Sequence, residues 1–386
     1  MNLSKQLILP GQTIGIIGGG QLGRMMAQAA KSMGFRIAVL DPTEDSPCGQ
    51  VADYKIIAEY NDSIAVRKLA AISDVVTYEF ENIDSERLKW LCEHAYVPQG
   101  SRVLELTQSR ISEKRSIQEA GVEVAPYAVI ESLEDLYREI EEIGYPSVLK
   151  TARGGYDGKG QLVIRSEKDL PDGAKLLQQG ECVLEQWVDF EKEISVIIAR
   201  NPDGEMSVFP VAENIHRDNI LHQTIAPARI SEAAKADAVE KAKKIAEYMQ
   251  VVGVLAVEMF LTKEGDIFIN ELAPRPHNSG HYTIEACETS QFAQHIRAVC
   301  NWSLGSVDQL KPAVMVNILG EHQEKVVNNI KKYRSWNVHL YGKHEAKLKR
   351  KMGHITVLDE SVEKVLSEME ESQIWEKMQE KIGGLQ

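Results

Sequence analysis

The sequence is poor in the features that mark several classes of protein. It has only 5 cysteines in 386 residues, and their spacing shows neither metal-type pairing nor a disulfide framework. Lysine and arginine together number 44, against 57 aspartates and glutamates, which gives a net charge of −13. This acidic balance argues against general binding to nucleic acid or to a membrane surface, although it permits a local basic site. The cysteines are expected to be reduced thiols of a cytoplasmic protein.

Long apolar runs are also missing. No run reaches the roughly 20 residues that a membrane-spanning helix needs, and the N-terminus shows no charged-then-apolar leader. No Gly-Lys-Ser/Thr sequence opens a helix, which excludes a Walker A loop. The remaining composition, 43% hydrophobic and 26% charged, is that of a globular protein large enough for two or three domains.

The first 100 residues alternate between strand and helix patterns, which is typical of an open parallel α/β domain. An apolar strand is predicted over residues 13–17, and a final strand is predicted near Tyr96. Between them, Gly18, Gly20 and Gly23 open a helix, and Asp41 follows about 20 residues later. Taken alone, this dinucleotide fingerprint indicates an NAD-dependent oxidoreductase.

Residues 150–161 form a glycine-rich stretch between two apolar strand patterns. Four glycines and three cations occur in it: Gly154, Gly155, Gly158, Gly160, Lys150, Arg153 and Lys159. Glycine lets successive backbone N–H groups converge on an anion, and the cations can then neutralise that anion. The stretch therefore predicts a flap over phosphates. The alternative is an ordinary mobile hairpin, because glycine marks turns in general.

A β-hairpin is predicted over residues 252–272. If its turn is centred on residues 264–265, Glu258 and Glu271 face each other about 5 Å apart, where like charges destabilise a sheet. A divalent cation such as Mg²⁺ would remove the conflict, and Asn270 could supply a further oxygen. The alternatives are that both glutamates lie on a solvated face, or that a bulge shifts the pairing by one residue.

Three further polar stretches are candidates for ligand contacts. The backbone of residues 185–188 follows a predicted strand and could meet the edge of an adenine, with Glu193 placed to accept hydrogen bonds from ribose hydroxyls. The loop 275–279 follows the hairpin and begins with Arg275, a residue type that binds phosphate or carboxylate in a bidentate manner. Residues 343–351 carry five cations against one acid, which predicts either a phosphate site or a solvated basic face.

Six stretches together resemble the ATP-grasp superfamily: residues 18–24, 78–82, 113–114, 153–160, 270–281 and 351–354. They span nearly the whole chain. The similarity is closest to the ATP-grasp ligases of purine biosynthesis that carboxylate an aminoimidazole ribonucleotide. In that family, ATP and bicarbonate form carboxyphosphate, and the exocyclic amine of 5-aminoimidazole ribonucleotide captures its carboxyl group.

The resemblance implies a mixed α/β and α+β protein with the ATP-grasp fold. A Rossmann-like (pre-ATP-grasp) domain would cover residues 1–100, and the ATP-grasp domain would cover residues 101–300, with a glycine-flap subdomain at about 125–190. A small C-terminal domain, residues 301–386, would complete the substrate site. The glycine turn of the first domain would face the second substrate instead of NAD, since a helix N-terminus favours any phosphate.

The resemblance also implies the residues of the site. The ATP-binding residues would be Arg110, Lys150, Gly155, Tyr156, Asp157, Gly158, Lys159, Gly160, Gln161, Glu185, Gln186, Trp187, Val188, Glu193, His216, Asn270 and Glu271. Glu258, Asn270 and Glu271 would hold the metal, Mg²⁺ or Mn²⁺. The ribonucleotide would meet Gln21, Leu22, Glu79, Arg275, His277, Asn278, Ser279, Lys343, Arg350 and Lys351. Among all of these, Tyr156, Asp157, Arg275 and His277 would be the catalytic residues.

Several alternatives stay open at the level of sequence. A formate-dependent ATP-grasp ligase acting on glycinamide ribonucleotide would share the nucleotide half, and a non-catalytic nucleotide-binding regulator would bind ATP without turnover. The apolar helices of the first domain favour a homodimer. One stretch departs from the family, which usually has Arg-Pro-Gly where this chain has Lys347, Leu348 and Lys349. Positive charge is kept there, but the rigid turn is expected to be lost.

Overall fold

The computed structural model describes residues 5–155 and 159–375. The predicted flap residues Tyr156, Asp157 and Gly158 lie outside the described residues, so their expected roles stay predictions.

In chain order, the strands are β1 Thr13–Ile17, β2 Arg36–Asp41, β3 Tyr54–Ile57, β4 Val75–Tyr78, β5 Tyr127–Ile130, β6 Ser147–Thr151, β7 Gln161–Ile164, β8 Cys182–Gln186, β9 Phe190–Arg200, β10 Met206–Val208, β11 Ala212–Arg217, β12 Ile220–Ala226, β13 Gly253–Thr262, β14 Ile267–Ala273, β15 Ala313–Leu319, β16 Asn337–Leu340 and β17 Lys351–Leu358.

The helices surround these strands. They are α1 Gln21–Ser32, α2 Ser63–Ile72, α3 Ser85–His94, α4 Arg102–Thr107, α5 Arg110–Glu119, α6 Leu133–Ile143, α7 Gly173–Leu177, α8 Glu232–Tyr248, α9 Thr283–Ala286, α10 Gln291–Val299, α11 Gly320–Asn329 and α12 Val362–Glu371, with short 3₁₀ turns at Glu167–Asp172 and Asn278–Gly280. Within the described ranges, no helix is both long enough and apolar enough to cross a membrane.

The first sheet is parallel and four-stranded, in the order β3-β2-β1-β4. This confirms the predicted open α/β arrangement, and β1 is buried along its whole length because helices cover the sheet. The final strand predicted near Tyr96 is wrong. The Tyr96 carbonyl accepts one hydrogen bond from Val76 N–H (2.9 Å), and the segment does not continue as a strand.

The second sheet has nine strands, in the order β14-β13-β9-β11-β12-β15-β17-β16, with β10 paired to β9. The C-terminal strands β15, β16 and β17 therefore extend the same sheet that holds the predicted hairpin. One face of β9 packs its apolar residues against α8 in the largest core cluster, which includes Ile194, Val196 and Ile198. Because side chains alternate along a strand, Glu193 and Ser195 point to the opposite face.

The third sheet is antiparallel and four-stranded, in the order β5-β8-β6-β7. Strand β6 ends just after Lys150, which pairs with Gln161 at the start of β7. The predicted strand–glycine loop–strand is therefore present. Helix α5 joins this sheet to the nine-stranded sheet, since its Arg110 N–H donates to Ala152 O (2.9 Å) and its Glu113 accepts from Leu272 N–H on β14 (2.7 Å).

Candidate active site

The hairpin β13–β14 places Glu258 directly opposite Glu271, as predicted. The path to that pairing differs from the expected one. The turn is longer by one residue, because Thr262 N–H donates to Asp266 O (2.9 Å) and Leu261 pairs with Ile267. A β-bulge between Glu258 and Met259 then restores the register, and Asn270 is the extra residue of the bulge. Two irregularities thus cancel and leave the two carboxylates face to face.

The facing carboxylates create an electrostatic conflict. Burial, together with the charge of Glu271, raises the pKa of Glu258 to about 7. Within residues 5–155 and 159–375, no group of three or more His, Cys, Asp or Glu side chains is arranged to hold a metal ion. The two facing carboxylates nevertheless suit a hard cation that takes its other ligands from phosphates and water, which is how proteins commonly hold Mg²⁺. Asn270, the bulge residue beside them, carries an amide oxygen of the same ligand class.

His277 supports Glu258. Its Nε2 lies 3.1 Å from Glu258 Oε1, and its Nδ1 accepts from the backbone N–H of Ser279 (3.3 Å). The acceptor role of Nδ1 assigns the proton to Nε2, which can then donate to the carboxylate. Burial, followed by the charge of Arg275, holds the pKa of His277 well below its usual value. Ser279 is fully buried, and its hydroxyl contacts His277 Nδ1 and the Ser195 hydroxyl, both at 2.9 Å.

The opposite end of the candidate site carries a cluster of two cations and one acid. Lys150 Nζ and Lys114 Nζ lie 3.1 and 3.2 Å from the same atom, Glu185 Oε2. Burial acts to raise the pKa of Glu185, but Lys150 and Lys114 outweigh it and hold that pKa below its usual value. The side chain of Glu185 is thus engaged within the protein, while the backbone of residues 185–188 continues past it.

Sequence reasoning missed Lys114 and Glu113 as site residues, although the pair belongs to one of the family-like stretches. Glu113 accepts from Leu272 N–H, the residue after Glu271, and burial followed by Glu271 raises its pKa to about 8. A signal was available in the spacing. Glu113, Ser116 and Ile117 are buried together on α5, so the helical period places a carboxylate on the core-facing side.

Glu193 and His216 come together as the nucleotide prediction requires. His216 Nδ1 lies 2.9 Å from Glu193 Oε2, across the neighbouring strands β9 and β11. Burial lowers the pKa of His216, but the carboxylates of Glu193 and Glu258 outweigh it and raise that pKa above its usual value. The acids Glu193 and Glu258 therefore act on one histidine, which gives this face of the sheet a connected set of polar groups.

Arg110 fixes the backbone at the start of the flap. Its guanidinium donates to the carbonyls of Thr151 (3.1 Å) and Gly154 (2.8 Å). Gly155 has φ +82°, and a Cβ there would lie 2.6 Å from the carbonyl oxygen of Lys159. Both the left-handed conformation and the close approach require glycine at this position. Arg110, Lys150 and the described part of the flap thus share one side of the site.

The glycine turn of the first sheet is filled by the protein's own carboxylates. Glu79 accepts from the backbone N–H groups of Gly20 and Gly23, and Asp41 accepts from Gly19 N–H (2.7 Å) and from the Tyr60 hydroxyl (2.6 Å). A dinucleotide pyrophosphate would need the same helix N-terminus. This geometry speaks against the NAD interpretation.

The first domain contributes the other predicted ribonucleotide contacts unequally. Gln21 begins α1 and is half-buried, whereas the Leu22 side chain belongs to the apolar core of this domain. Only the backbone of Leu22 could therefore meet a ligand. Glu81 was not predicted to act, but its carboxylate lies 2.7 Å from Arg275 Nε. This ion pair links the loop after the hairpin to the segment that follows β4.

Asn278 has a different environment from its neighbours in the loop 275–279. Both polar atoms of its carboxamide are buried and have no hydrogen-bond partner in the part of the chain that the structure describes. Buried polar groups are normally paired, so an unsatisfied carboxamide in this loop is suited to receive a ligand.

The basic stretch divides into two groups. Lys347 and Lys349 form surface ion pairs, with Glu345 (2.7 Å) and Asp218 (3.0 Å). Lys343 is held inward by donating to the Lys351 carbonyl (2.7 Å), and burial, followed by the charge of Arg350, lowers its pKa to about 8.

One lysine of the basic stretch acts electrostatically on residues of the candidate site. The charge of Lys351 acts to lower the pKa values of His216, Glu258 and His277, so this lysine lies within electrostatic range of the Glu258 end of the site. Lys349 adopts φ +62°, the left-handed conformation that glycine would favour at that turn. The departure from the family's usual sequence therefore keeps a turn at this position, contrary to the expectation that it would be lost.

Comparisons with known proteins agree with this architecture. Three family models match in succession: the ribonucleotide synthetase preATP-grasp domain over residues 11–108, the ATP-grasp domain over residues 115–292, and the phosphoribosylaminoimidazole carboxylase C-terminal domain over residues 313–368. The expected fold class, an ATP-grasp fold with a Rossmann-like N-terminal domain and a small C-terminal domain, is confirmed.

Curated relatives and solved structures match over nearly the whole chain. The N5-carboxyaminoimidazole ribonucleotide synthase of Bacillus subtilis is 55% identical, over 95% of this chain and 97% of its own length. The Staphylococcus aureus (strain MRSA252) enzyme is 47% identical, over 93% and 96%. An N5-carboxyaminoimidazole ribonucleotide synthetase in complex with ADP is 59% identical with a TM-score of 0.94, over 96% of this chain and 98% of that one.

A more distant relative has been solved with both small molecules. The Aspergillus clavatus enzyme, in complex with ADP and 5-aminoimidazole ribonucleotide, is 31% identical with a TM-score of 0.87, over 94% of this chain and 97% of that one. High identity over nearly complete lengths agrees with the filled glycine turn in excluding the oxidoreductase interpretation. On these grounds the chain belongs to the N5-carboxyaminoimidazole ribonucleotide synthase family of ATP-grasp ligases.

Proposed function

We infer that this chain catalyses the ATP-dependent carboxylation of 5-aminoimidazole ribonucleotide to N5-carboxyaminoimidazole ribonucleotide in purine biosynthesis. The observation that carries this is the 55% identity to the Bacillus subtilis synthase over nearly the full length of both chains. The Aspergillus clavatus relative in complex with ADP and 5-aminoimidazole ribonucleotide supports the assignment of both small molecules. The matching C-terminal family model, the phosphoribosylaminoimidazole carboxylase C-terminal domain, favours this reaction over the formate-dependent ligase.

We propose that the nucleotide lies between the antiparallel four-stranded sheet, β5-β8-β6-β7, and the nine-stranded sheet. Lys150, Arg110 and the flap, residues 155–161, would contact its phosphates, and the backbone of residues 185–188 would contact adenine. Glu193, beside His216, would accept hydrogen bonds from the ribose hydroxyls. The supporting observation is that α5 bridges both sheets here, through Lys114 to Glu185 on one side and Glu113 to Leu272 on the other.

Glu258, Glu271 and Asn270 would hold Mg²⁺ or Mn²⁺. Their fit rests on the facing carboxylates and on the raised pKa of Glu258, since a cation removes the repulsion between them. When bound, the metal supplies charge neutralisation to the phosphate oxygens. His277 orients Glu258 for that task, because its Nε2–H is directed at the carboxylate.

The proposed chemistry has two steps. In the first, an oxygen of bicarbonate takes the γ-phosphoryl group, which releases ADP and gives carboxyphosphate. In the second, the ribonucleotide amine attacks the carboxyl carbon, the C–O bond to phosphate breaks, and the nitrogen loses a proton. Bicarbonate itself is a poor electrophile, so the site must stabilise charge on phosphoryl oxygens and exclude water while carboxyphosphate exists.

The ribonucleotide would lie between the first domain and the C-terminal strands. Lys343, Arg350 and Lys351 would bind its phosphate, with Gln21, the Leu22 backbone and Glu79 on the opposite side. The loop after the hairpin would address the carboxyl group. Arg275 is oriented there by Glu81, and Asn278 has a buried, unsatisfied carboxamide.

ADP release tests the reaction directly. We expect release from Mg-ATP only when bicarbonate and 5-aminoimidazole ribonucleotide are both present, in a one-to-one ratio with carbamate. Formate with glycinamide ribonucleotide is the matched control and should give no release. Turnover with that pair, and none with bicarbonate and 5-aminoimidazole ribonucleotide, would refute the assignment.

We further propose that the protein is a cytoplasmic homodimer with domains at residues 1–100, 101–300 and 301–386. All five cysteines are free thiols, as a reducing compartment favours. The edge strand β3 and the start of α2 expose Tyr54, Ile57 and Ile64, an apolar surface suited to a second copy of the chain. Light scattering of Ile64→Glu beside the unmodified protein would test this, because a dimer that uses this surface should dissociate.

A further inference from the structure

Lys114 is a buried lysine with no assigned role. It lies on α5 with only 2% of its side chain exposed, and its Nζ is 3.2 Å from Glu185 Oε2. Lys150 Nζ lies 3.1 Å from the same oxygen. One carboxylate oxygen therefore faces two ammonium groups. Burial lowers the pKa of Lys114, and the charges of Glu185 and Glu113 oppose that shift. With both lysines protonated, the cluster carries one more positive charge than negative charge.

The surplus charge depends on Lys114. A carboxylate paired with a single lysine forms a neutral unit, and in a buried position such a unit presents little net charge to a third group. If Lys150 and Glu185 were alone, the acid would neutralise the lysine beside the flap. Because Lys114 also pairs with Glu185, the cluster as a whole keeps a net charge of one.

Lys114 is also held in a fixed position. Its neighbour Glu113 accepts from Leu272 N–H (2.7 Å), which ties this turn of α5 to strand β14. The Lys114 ammonium lies 5.6 Å from the centre of the Tyr127 ring, on a strand paired with β8. The lysine therefore cannot leave Glu185 without disturbing contacts on two sheets.

We propose that Lys114 is a positioning residue that balances the charge of Glu185 and so keeps the charge of Lys150 available for the phosphates of the nucleotide. The proposal deepens the proposed nucleotide site and rests on Lys150 binding phosphate there. It predicts an effect on phosphate affinity, whereas a purely structural role would affect every ligand of this sheet alike.

Lys114→Met tests the charge, because methionine is similar in length and uncharged. We expect the dissociation constant of ADP, measured by calorimetry, to rise about tenfold or more, as expected for the loss of a charged interaction. The dissociation constant of adenosine should change little, since adenosine has no phosphate. An equal loss for adenosine and ADP would overturn the proposal.

The double variant Lys114→Met/Glu185→Gln separates charge from packing. Removing the acid together with its balancing lysine leaves Lys150 unopposed, so ADP affinity should return to near that of the unmodified protein. Persistence of the single-variant defect in a folded double variant would overturn the proposal. If Lys114→Met alone does not fold, the comparison is made in the Glu185→Gln background, where adding Lys114→Met should have little effect on ADP.

Two controls complete the experiment. Glu213 is also paired with two cations, Arg229 and Lys192, and Lys192 Nζ lies 3.1 Å from Glu213 Oε1. This cluster lies on the face of the nine-stranded sheet opposite to Glu193. Lys192→Met removes one of its cations and should leave ADP affinity unchanged. Lys150→Met tests the proposed site itself. If it leaves ADP affinity intact, the proposed site is wrong. If it weakens ADP while Lys114→Met does not, only the inference about Lys114 fails.

Discussion

Two glutamates at the two ends of the candidate site have opposite electrostatic environments. Glu185, on strand β8 of the antiparallel four-stranded sheet, has 8% of its side chain exposed and lies between Lys114 and Lys150. Glu258, on the nine-stranded sheet, has 15% of its side chain exposed and faces Glu271. Cations lower the pKa of the first, whereas burial and a second acid raise the pKa of the second to about 7.

Glu185 and Glu258 are buried to a similar degree, but the net charge around them differs in sign. The Glu185 end has an excess of positive charge and suits an anion, while the Glu258 end has an excess of negative charge and suits a cation. A nucleotide triphosphate with its divalent metal supplies both, which is why the two ends together fit a single Mg-ATP. The difference between the two glutamates can be tested by neutralising one acid at each end.

The largest effect is expected at the negative end. Glu271→Gln removes one of the two facing charges, so Mg²⁺-dependent ADP release should fall by about 10²- to 10³-fold, as for loss of a preorganised electrostatic contact. The melting temperature should be unchanged or higher, because the like-charge repulsion is gone. Near-normal turnover at moderate Mg²⁺ would show that Glu271 is not a metal ligand.

Neutralising the acid at the positive end should lower the free energy of unfolding. Glu185→Gln leaves Lys114 and Lys150 without their carboxylate, and breaking a buried charge pair costs about 3 kcal/mol of unfolding free energy. Urea unfolding in the absence of nucleotide measures the change, and Glu271→Gln is the matched control with no expected loss. Equal unfolding free energies for the two variants would remove the contrast between the ends.

Much of this comparison could be predicted from sequence, because it depends on local patterns. Alternation in strands 252–261 and 267–272 and the turn between them placed Glu258 opposite Glu271. The agreement was partly fortuitous, since a longer turn and a bulge at Asn270 cancel each other. Bulges depend on the neighbouring strand and leave little trace in one sequence.

The remaining features depend on contacts between residues that are far apart in the chain. Lys114 with Glu185, and Glu81 with Arg275, are pairs that no local spacing reveals. The incorrect strand near Tyr96 shows the opposite failure, because a suitable local sequence makes only one backbone hydrogen bond to β4. Intrinsic strand preference is therefore not sufficient, since the segment lies beside the edge strand β4 but does not continue the pairing beyond that one bond.

The basic stretch, residues 343–351, is a third charged region, and its effect on substrate binding can be distinguished from the effects of the Glu185 and Glu258 ends. Arg350→Ala should raise the KM for 5-aminoimidazole ribonucleotide about ten- to a hundredfold, because a hydrogen bond to a charged group is worth about 1.5–3 kcal/mol. The KM for ATP should be unchanged. Lys347→Ala is the control, since Lys347 pairs with Glu345 at the surface. An equal rise in both KM values would place Arg350 at the nucleotide end instead.

The smallest effect is a pH dependence that belongs to Lys343. Burial, followed by the charge of Arg350, lowers its pKa to about 8, so the side chain is protonated below that pH and becomes neutral above it. Only the protonated form attracts a phosphate. The KM for the ribonucleotide should therefore rise by at most about tenfold between about pH 7 and about pH 9 at saturating bicarbonate and ATP.

Two variants distinguish Lys343 from other titrating groups. Lys343→Arg keeps its charge over this range, because the guanidinium titrates only above about pH 12, so its KM should stay low and flat. Lys343→Met has no charge to lose, so its KM should be high and equally flat. If the KM of Lys343→Met still rises with pH as in the unmodified protein, the titrating group is elsewhere and Lys343 does not bind the substrate phosphate.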